Sequence, residues 1–317
     1  MGSPMIQTKG LTKRFGDVVA LDGLDLEVQQ GEVFGFLGPN GAGKSTTIRL
    51  LLGLIRPTAG EAWLGAIPVG DVKHAHRSVS YVPGDVCLWP QLTGTEILEL
   101  LGNVSGGVDR KFRDELVERF NLDVRKRARA YSKGNRQKVA LVAAFMTRPE
   151  VLLLDEPTAG LDPLMEAEFQ ALAREASKGG QTVFLSSHIL DEVEDLCGRV
   201  AILRAGHLVE VAVLEELRNI TTTVLEATLD GPVPVLADVT GVVGVEPMHA
   251  GVRVTVSGSP DAALHRLLTA GILRLQSHAP TLEQIFLTYY DLSPEQRDAV
   301  AAAHGAGPVH IEGQRDP

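Results

Sequence analysis

An α/β fold built on a parallel sheet, with a smaller α+β domain behind it, is what the sequence predicts. Three observations carry this. Strand-like and helix-like stretches alternate from the N-terminus to about residue 218. The run VLLLDEP, residues 151–157, is wholly apolar until it meets two carboxylates, the pattern of a strand covered by helices on both faces. Beyond residue 219 the chain turns to short strands and helical stretches in β-α-β-β-α-β order, the ferredoxin-like arrangement.

The elements follow in order. Residues 6–30 alternate apolar and polar around the turn signals KRFGD and LDG, which reads as two or three antiparallel strands. GEVFGFLG is a short apolar strand that stops at Gly38, and TTIRLLLGLI has helical spacing up to RPTAG. SVSYVP is a strand. From about residue 94 to 148 the pattern is mostly helical, with Phe112, Leu116, Val117 and Phe120 on one face. After VLLLDEP come a helix at 164–177, the strand TVFLSSH, a helix at 189–197 and the strand RVAILRAG. In the second domain, residues 219–291, TTVLEATL reads as a strand, PVLADV as a short helix, and GVEPM and GVRVTVSG as strands. DAALHRLLTAG reads as a helix, ILRLQSH as a strand and TLEQIFLTYY as a last helix. Residues 292–317, rich in Ala, Gly, Pro and charge, read as a loosely ordered tail.

Composition narrows the function classes. The 317 residues are enough for two domains with a large core, and 44% apolar with 22% charged residues is ordinary globular usage. A net charge of -10 argues against a general nucleic-acid binder. No apolar run approaches the roughly 20 residues that span a bilayer. No basic-then-apolar secretion signal opens the chain, and MGSP ahead of Met5 reads as an added leader with Met5 the native start. Two cysteines, Cys87 and Cys197, are too few for a disulfide framework or a structural zinc site, which fits a reducing cytosol with both thiols inert.

GPNGAGKST, residues 38–46, matches G-x-x-x-x-G-K-[ST] and lies between a strand and a helix. Its glycines let successive backbone N–H groups converge on phosphate oxygens, and the following helix adds its positive dipole end. Lys44 can reach the β- and γ-phosphates, and the Ser45 hydroxyl suits Mg²⁺. This is a nucleoside triphosphate site. Asp155 and Glu156 end a buried strand, where ligands sit in open α/β sheets. Asp155 is placed to hold Mg²⁺ through water, and Glu156 to orient or deprotonate an attacking water. His188 ends a second apolar strand. Alone it would read as a cap on the next helix; beside the other strand ends it can contact the γ-phosphate or the water.

In the order phosphate loop, helical insert, YSKGNRQ, DEP strand, AGLD turn and strand-end histidine, residues 5–218 resemble the nucleotide-binding subunit of ATP-binding cassette (ABC) transporters. The resemblance implies a P-loop NTPase cassette: a RecA-like core, an antiparallel β subdomain and a helical subdomain at about 85–150. It implies that Phe15, in TKRFGD, stacks on adenine, and that Gly38, Pro39, Asn40, Gly41, Ala42, Gly43, Lys44, Ser45 and Thr46 cradle the phosphates. Asp155 with Ser45 serves the metal, Glu156 is the hydrolytic base, His188 the switch histidine, and the turn from Ala159 to Asp162 crosses a dimer interface. Two cassettes, taken as copies of one chain, would pack head to tail around two ATP. YSKGNRQ (131–137) falls where the family signature LSGGQ belongs, so Ser132 and Gly134 would complete the partner's site.

Two positions depart from the family pattern. Lys133 replaces a glycine and Asn135 a glutamine in the signature; backbone donors survive such changes, and Lys133 is either tolerated or an extra positive charge. In SYVPGDVCLWP, Gly84 stands where a glutamine usually meets the metal and senses the membrane partner. Asp85 or another water are the two stand-ins. The next residues, Leu88, Trp89, Pro90 and Leu92, read about equally as anchors for a permease helix and as core.

The resemblance implies an ATPase that drives a separate transmembrane permease, with ATP and Mg²⁺ as cofactors and no nucleic-acid partner. It would be cytoplasmic, peripheral on the inner face of a prokaryotic cell membrane. The ending APTLEQIFLTYY resembles cassettes of two-component exporters for drugs, antibiotics or lipid-like compounds. The competing readings are a soluble cassette acting on ribosomes or nucleic acid, which the acidic charge and the lack of a long coiled-coil insert oppose, and a module that binds ATP without hydrolysing it, which Glu156 and His188 oppose.

Overall fold

The computed structural model describes residues 4–214, 222–249 and 251–278. The chain divides into two units, Met1–Leu214 and Glu215–Pro317.

The first unit holds two sheets. In one, β1 (Ile6–Phe15), β2 (Val18–Val28), β4 (Ala59–Leu64) and β5 (Ile67–Pro68) run antiparallel in the order β2-β1-β4-β5. The other has the order β10-β9-β3-β8-β7-β6, built from β3 (Val33–Leu37), β6 (Val79–Val82), β7 (Val151–Asp155), β8 (Thr182–Ser187), β9 (Arg199–Arg204) and β10 (His207–Val213). Five of these strands are parallel, and β10 closes the edge antiparallel to β9. Every residue of β3, β7 and β8 is buried, which is why those runs are continuous rather than alternating.

Helix α1 (Lys44–Leu51) joins the two sheets in one core. Its Ile48, Leu50 and Leu51 pack with Ile6, Leu24 and Leu64 of the antiparallel sheet and with Phe36, Leu153, Phe184 and Leu203 of the parallel one. Each such side chain contributes roughly 1.5–3 kcal/mol by leaving water, so the phosphate loop before α1 is anchored by core packing. The helix stops earlier than the run TTIRLLLGLI suggests, because Gly53 turns left-handed at φ 63°.

Short α2 (Val72–Ala75) leads into β6. The helical insert consists of α3 (Gly94–Val104), α4 (Arg110–Arg119) and α5 (Lys133–Phe145). Thr93 and Glu96 form a capping box that starts α3, and Asp109 caps α4. Arg119 of α4 donates to Glu168 (2.5 Å) and with both terminal nitrogens to Glu175 (2.8 and 3.0 Å) on α6 (Pro163–Lys178), tying insert to core. Then α7 (Leu190–Leu196) follows β8. Among the described residues no helix is long and apolar enough to cross a membrane.

Three strands escaped the sequence reading. β4 carries Ala, Gly and Glu, poor strand formers. β5 has only two residues, and β10 returns from β9 through Ala205 and Gly206, both at positive φ.

In the second unit, β11 (Thr222–Leu229), β12 (Val242–Met248), β13 (Gly251–Ser257) and β14 (Ile272–His278) form an antiparallel sheet in the order β12-β13-β11-β14. That is the ferredoxin-like strand order. Val252, Val254 and Val256 of β13 pack with Ala263 and Leu267 of α8 (Asp261–Leu268). The helix expected at PVLADV does not form: residues 232–236 are irregular and 237–240 are turns. The run is only six residues, too short to offset the cost of helix nucleation by itself, and Leu236 and Val239 reach the core from irregular chain and turns instead. The expected helix TLEQIFLTYY and tail 292–317 lie outside the described residues.

Candidate active site

Three strand ends of the parallel sheet, β3, β7 and β8, deliver the candidate residues. The loop after β3 holds Gly38, Pro39, Asn40, Gly41, Ala42 and Gly43, and Lys44, Ser45 and Thr46 open α1. At Gly43 the φ is 111°, and a Cβ would sit 2.6 Å from the Ala20 carbonyl, so only glycine fits. No side chain caps α1, which leaves its first N–H groups to the loop. Lys44 is buried, and its Nζ donates to the carbonyls of Gly38 (2.6 Å) and Pro39 (3.2 Å). Burial pulls its pKa below the usual lysine range, while Glu156 and Asp155 push the other way. The loop lysine and the two acids thus share one electrostatic environment.

Asp155 is the last residue of β7 and is buried. The Ser186 hydroxyl of β8 donates to its Oδ1 at 2.6 Å. Glu156 departs from the strand in the left-handed region, φ 49°, rare for a residue with a long side chain. Its N–H donates to the Ser186 carbonyl (3.1 Å) and hydroxyl (3.2 Å), which holds that backbone in place. The Glu156 carboxylate then meets the ring of His188, Oε1 to Nδ1 at 3.2 Å. Burial beside Asp155 raises the Tyr81 phenol above its ordinary pKa.

Gly84 follows β6 and faces Asp155: a Cβ there would lie 3.4 Å from the Asp155 carbonyl and 3.7 Å from Oδ2. Asp85 is exposed. Trp89 is 49% exposed and is therefore not a core side chain in this chain. Among the described residues, no cluster of three or more His, Cys, Asp or Glu side chains could hold a metal by itself.

Ser132 caps α5 by accepting from the Asn135 N–H (3.2 Å). The backbone of Gly134 runs so close to Gly160 that a Cβ would lie 2.3 Å from the Gly160 carbonyl oxygen. The methylenes of Lys133 lie 3.4 Å from where a Cβ on Gly160 would stand. Asp162 caps α6 through the Met165 N–H (3.1 Å). These contacts run within α5 and to the 159–162 turn, and not to the loop 38–46. Phe15 ends β1, is 51% exposed, and has the Lys13 ammonium 4.9 Å from its ring centroid.

Sequence reasoning missed Ser186, Ser187, Thr158 and Glu192. The two serines could have been found: they are hydroxyls ending an otherwise apolar buried strand. Gln137 was missed too; it is buried and donates to the Pro157 carbonyl (2.9 Å), pinning α5 to the DEP segment.

Comparison with known proteins gives one consistent result. The family profile described as ABC transporter matches residues 21–159. The daunorubicin resistance ATP-binding protein DrrA3 of Streptomyces coeruleorubidus is 37% identical over 303 residues, covering 90% of this chain and 96% of that protein. The linearmycin resistance ATP-binding protein LnrL of Bacillus subtilis is 30% identical over 306 residues, covering 89% and 97%. Among solved structures, the dimeric post-hydrolysis state of the ATP-binding cassette MJ0796 bound to ADP and Pi superposes with a TM-score of 0.59. It is 26% identical and covers 66% of this chain and 99% of that one.

Proposed function

This chain belongs to the ATP-binding subunits of ABC transporters and is an ATPase, and from that premise we propose that two copies close around two ATP to drive a separate membrane permease of an exporter. The contact between Glu156 and His188 carries the proposal. A base and an orienting partner at neighbouring strand ends, across from a phosphate-loop lysine, are the parts that water attack on a γ-phosphate needs.

The division of labour follows from the residues. The loop 38–46 and the N-terminus of α1 bind and orient the phosphates. Glu156 Oε1 takes the proton of the attacking water, and His188 holds that carboxylate in line. Phe15 offers an exposed face to the adenine ring. Ser132 and Gly134 present the start of α5 to the γ-phosphate bound by the partner copy, while Asp162 sits in the turn that crosses between copies. The donor set fits Mg²⁺, which is held by one or two carboxylates together with phosphate oxygens and water. Asp155 and Ser45 would hold it, and when bound it offsets charge on the transferred phosphoryl group.

Gly84 bears on coupling. With no side chain beside Asp155, the report from nucleotide to permease runs through other residues of the 84–92 segment, where Trp89 offers an exposed apolar anchor. The chain would act at the inner face of a prokaryotic membrane. The drug and antibiotic names of its relatives favour export of such compounds, with the compound chosen by the membrane subunit.

The test uses the full chain. Glu156→Gln should bind ATP, stop hydrolysing it and elute as a stable dimer in ATP. Co-reconstitution with a candidate permease, a multi-span membrane protein from the same source, should raise the ATPase rate. Wild-type hydrolysis in the Gln variant would end the assignment of Glu156, and an unresponsive rate would end that of the permease.

A further inference from the structure

We infer that Glu192 is a positioning residue for hydrolysis: its carboxylate fastens the segment carrying Glu156 to the segment carrying His188. The inference rests on the roles given above to those two residues.

The strands β7 and β8 are held together by ladder hydrogen bonds only as far as the Asp155 and Ser186 pair. Glu156 and His188 lie beyond that pair. Their separation is therefore set by whatever ties the two outgoing segments. Ser186 gives one tie, through its carbonyl and hydroxyl to the Glu156 N–H. Glu192 on α7 gives the other. Its Oε1 accepts from the Thr158 hydroxyl at 2.9 Å, and its Oε2 accepts from the Ser187 hydroxyl at 2.9 Å. Thr158 is two residues after Glu156, and Ser187 immediately precedes His188. One carboxylate thus spans both catalytic segments with one oxygen for each.

The setting makes the span stiff. Thr158 and Ser187 are buried, so water competes poorly for their hydroxyls. Ser187 also accepts from the Ile189 N–H at 2.9 Å, fixing the turn that presents His188. With one hydroxyl on each of its oxygens, the Glu192 carboxylate is held in one orientation. The hydrogen bonds of Thr158 and Glu192 go to each other and to Ser187 rather than to the phosphate loop, so their effect on chemistry should be separable from nucleotide binding.

The experiment measures steady-state ATP hydrolysis of full-length variants, with binding of a fluorescent ATP analogue alongside. Glu192→Ala should lower kcat about ten-fold or more, while KM and analogue affinity stay within about two-fold, because sub-ångström misplacement of a base costs rate rather than binding. Glu192→Gln should recover most of the rate, since an amide can accept from one hydroxyl and donate to the other. In a double-mutant cycle, Ser187→Ala and Glu192→Ala should be clearly non-additive in kcat. If Glu192→Ala does not fold, Ser187→Ala, Thr158→Val and their combination with Glu192→Gln decide in its place. A wild-type kcat in these variants, or strictly additive losses, would overturn the inference. So would a loss shared equally between KM and thermal stability and not restored by Gln. Glu156→Gln serves as the control: if it hydrolyses ATP normally, the underlying reading of the site has failed, whatever Glu192 does.

Discussion

Glu156 and His188 face each other at 3.2 Å across the ends of two adjacent parallel strands, and Glu156 reaches that position through a left-handed backbone. A residue with a long side chain held at φ 49° is in a sparsely populated region, and such strain persists only where surroundings enforce it. Here the two bonds from the Glu156 N–H to Ser186 do so.

His188→Ala should therefore leave ATP binding intact and lower kcat on the order of 100-fold, the usual scale for losing a group that supports acid–base chemistry. Steady-state kinetics beside an ATP-binding titration checks it. Glu156→Gly relaxes the backbone but removes the base, and should give a more thermally stable and inactive protein.

Gly134→Ala should destabilise by about 1–3 kcal/mol, because the added methyl would lie 2.3 Å from the Gly160 carbonyl. Gly84→Ala should be nearly neutral, since its methyl meets Asp155 at ordinary contact distance. Urea unfolding of the two variants gives the comparison, and a reversed order would refute it.

Lys133 packs by its stem on Gly160. Lys133→Met keeps the stem and removes the charge, so ATP-dependent dimerisation should be unchanged, whereas Lys133→Gly should weaken it. If Met weakens dimerisation as much as Gly does, the charge is what matters.

Burial, then the charge of Glu192 and then that of Asp162, hold the Glu166 carboxyl above the usual glutamate range. The folded state then binds its proton more tightly than the unfolded state, so this group's contribution to stability falls as pH rises through and above that range. Glu166→Gln should raise the melting temperature at neutral pH, and the gain should vanish below the ordinary glutamate pKa. A melting series across pH measures it.

Arg119→Ala should cost about 1 kcal/mol and loosen the helical insert from α6, and Arg119→Lys should not rescue it, because a planar fork to Glu175 and a third bond to Glu168 are replaced by one point charge. Hydrogen exchange of α4 is the readout.

Legibility in the sequence followed the range of the physics. The phosphate loop, the apolar β7 and β8 and the strand-end residues Asp155, Glu156 and His188 declare themselves locally, through chain chemistry at fixed spacing. The strands β4 and β10 did not, since they depend on partners: Ala59 and Gly60 make a strand only because β1 lies beside them. PVLADV misled because Leu236 and Val239 have helical spacing, yet in so short a run they pack into the core from irregular chain and turns. Thr158, Ser187 and Glu192 share no spacing rule, and only the fold brings their hydroxyls and carboxylate together.

The lysine of the phosphate loop is already engaged, with its ammonium on the carbonyls of Gly38 and Pro39. An incoming phosphate thus exchanges acceptors for Lys44 and does not supply its first ones. The two carbonyls act as placeholders that keep the loop in its cradle shape, so affinity for nucleotide reports a difference between two anchored states. On the proposed role of the loop, full negative charge on a phosphate oxygen is what favours it over the partial charge of two peptide oxygens.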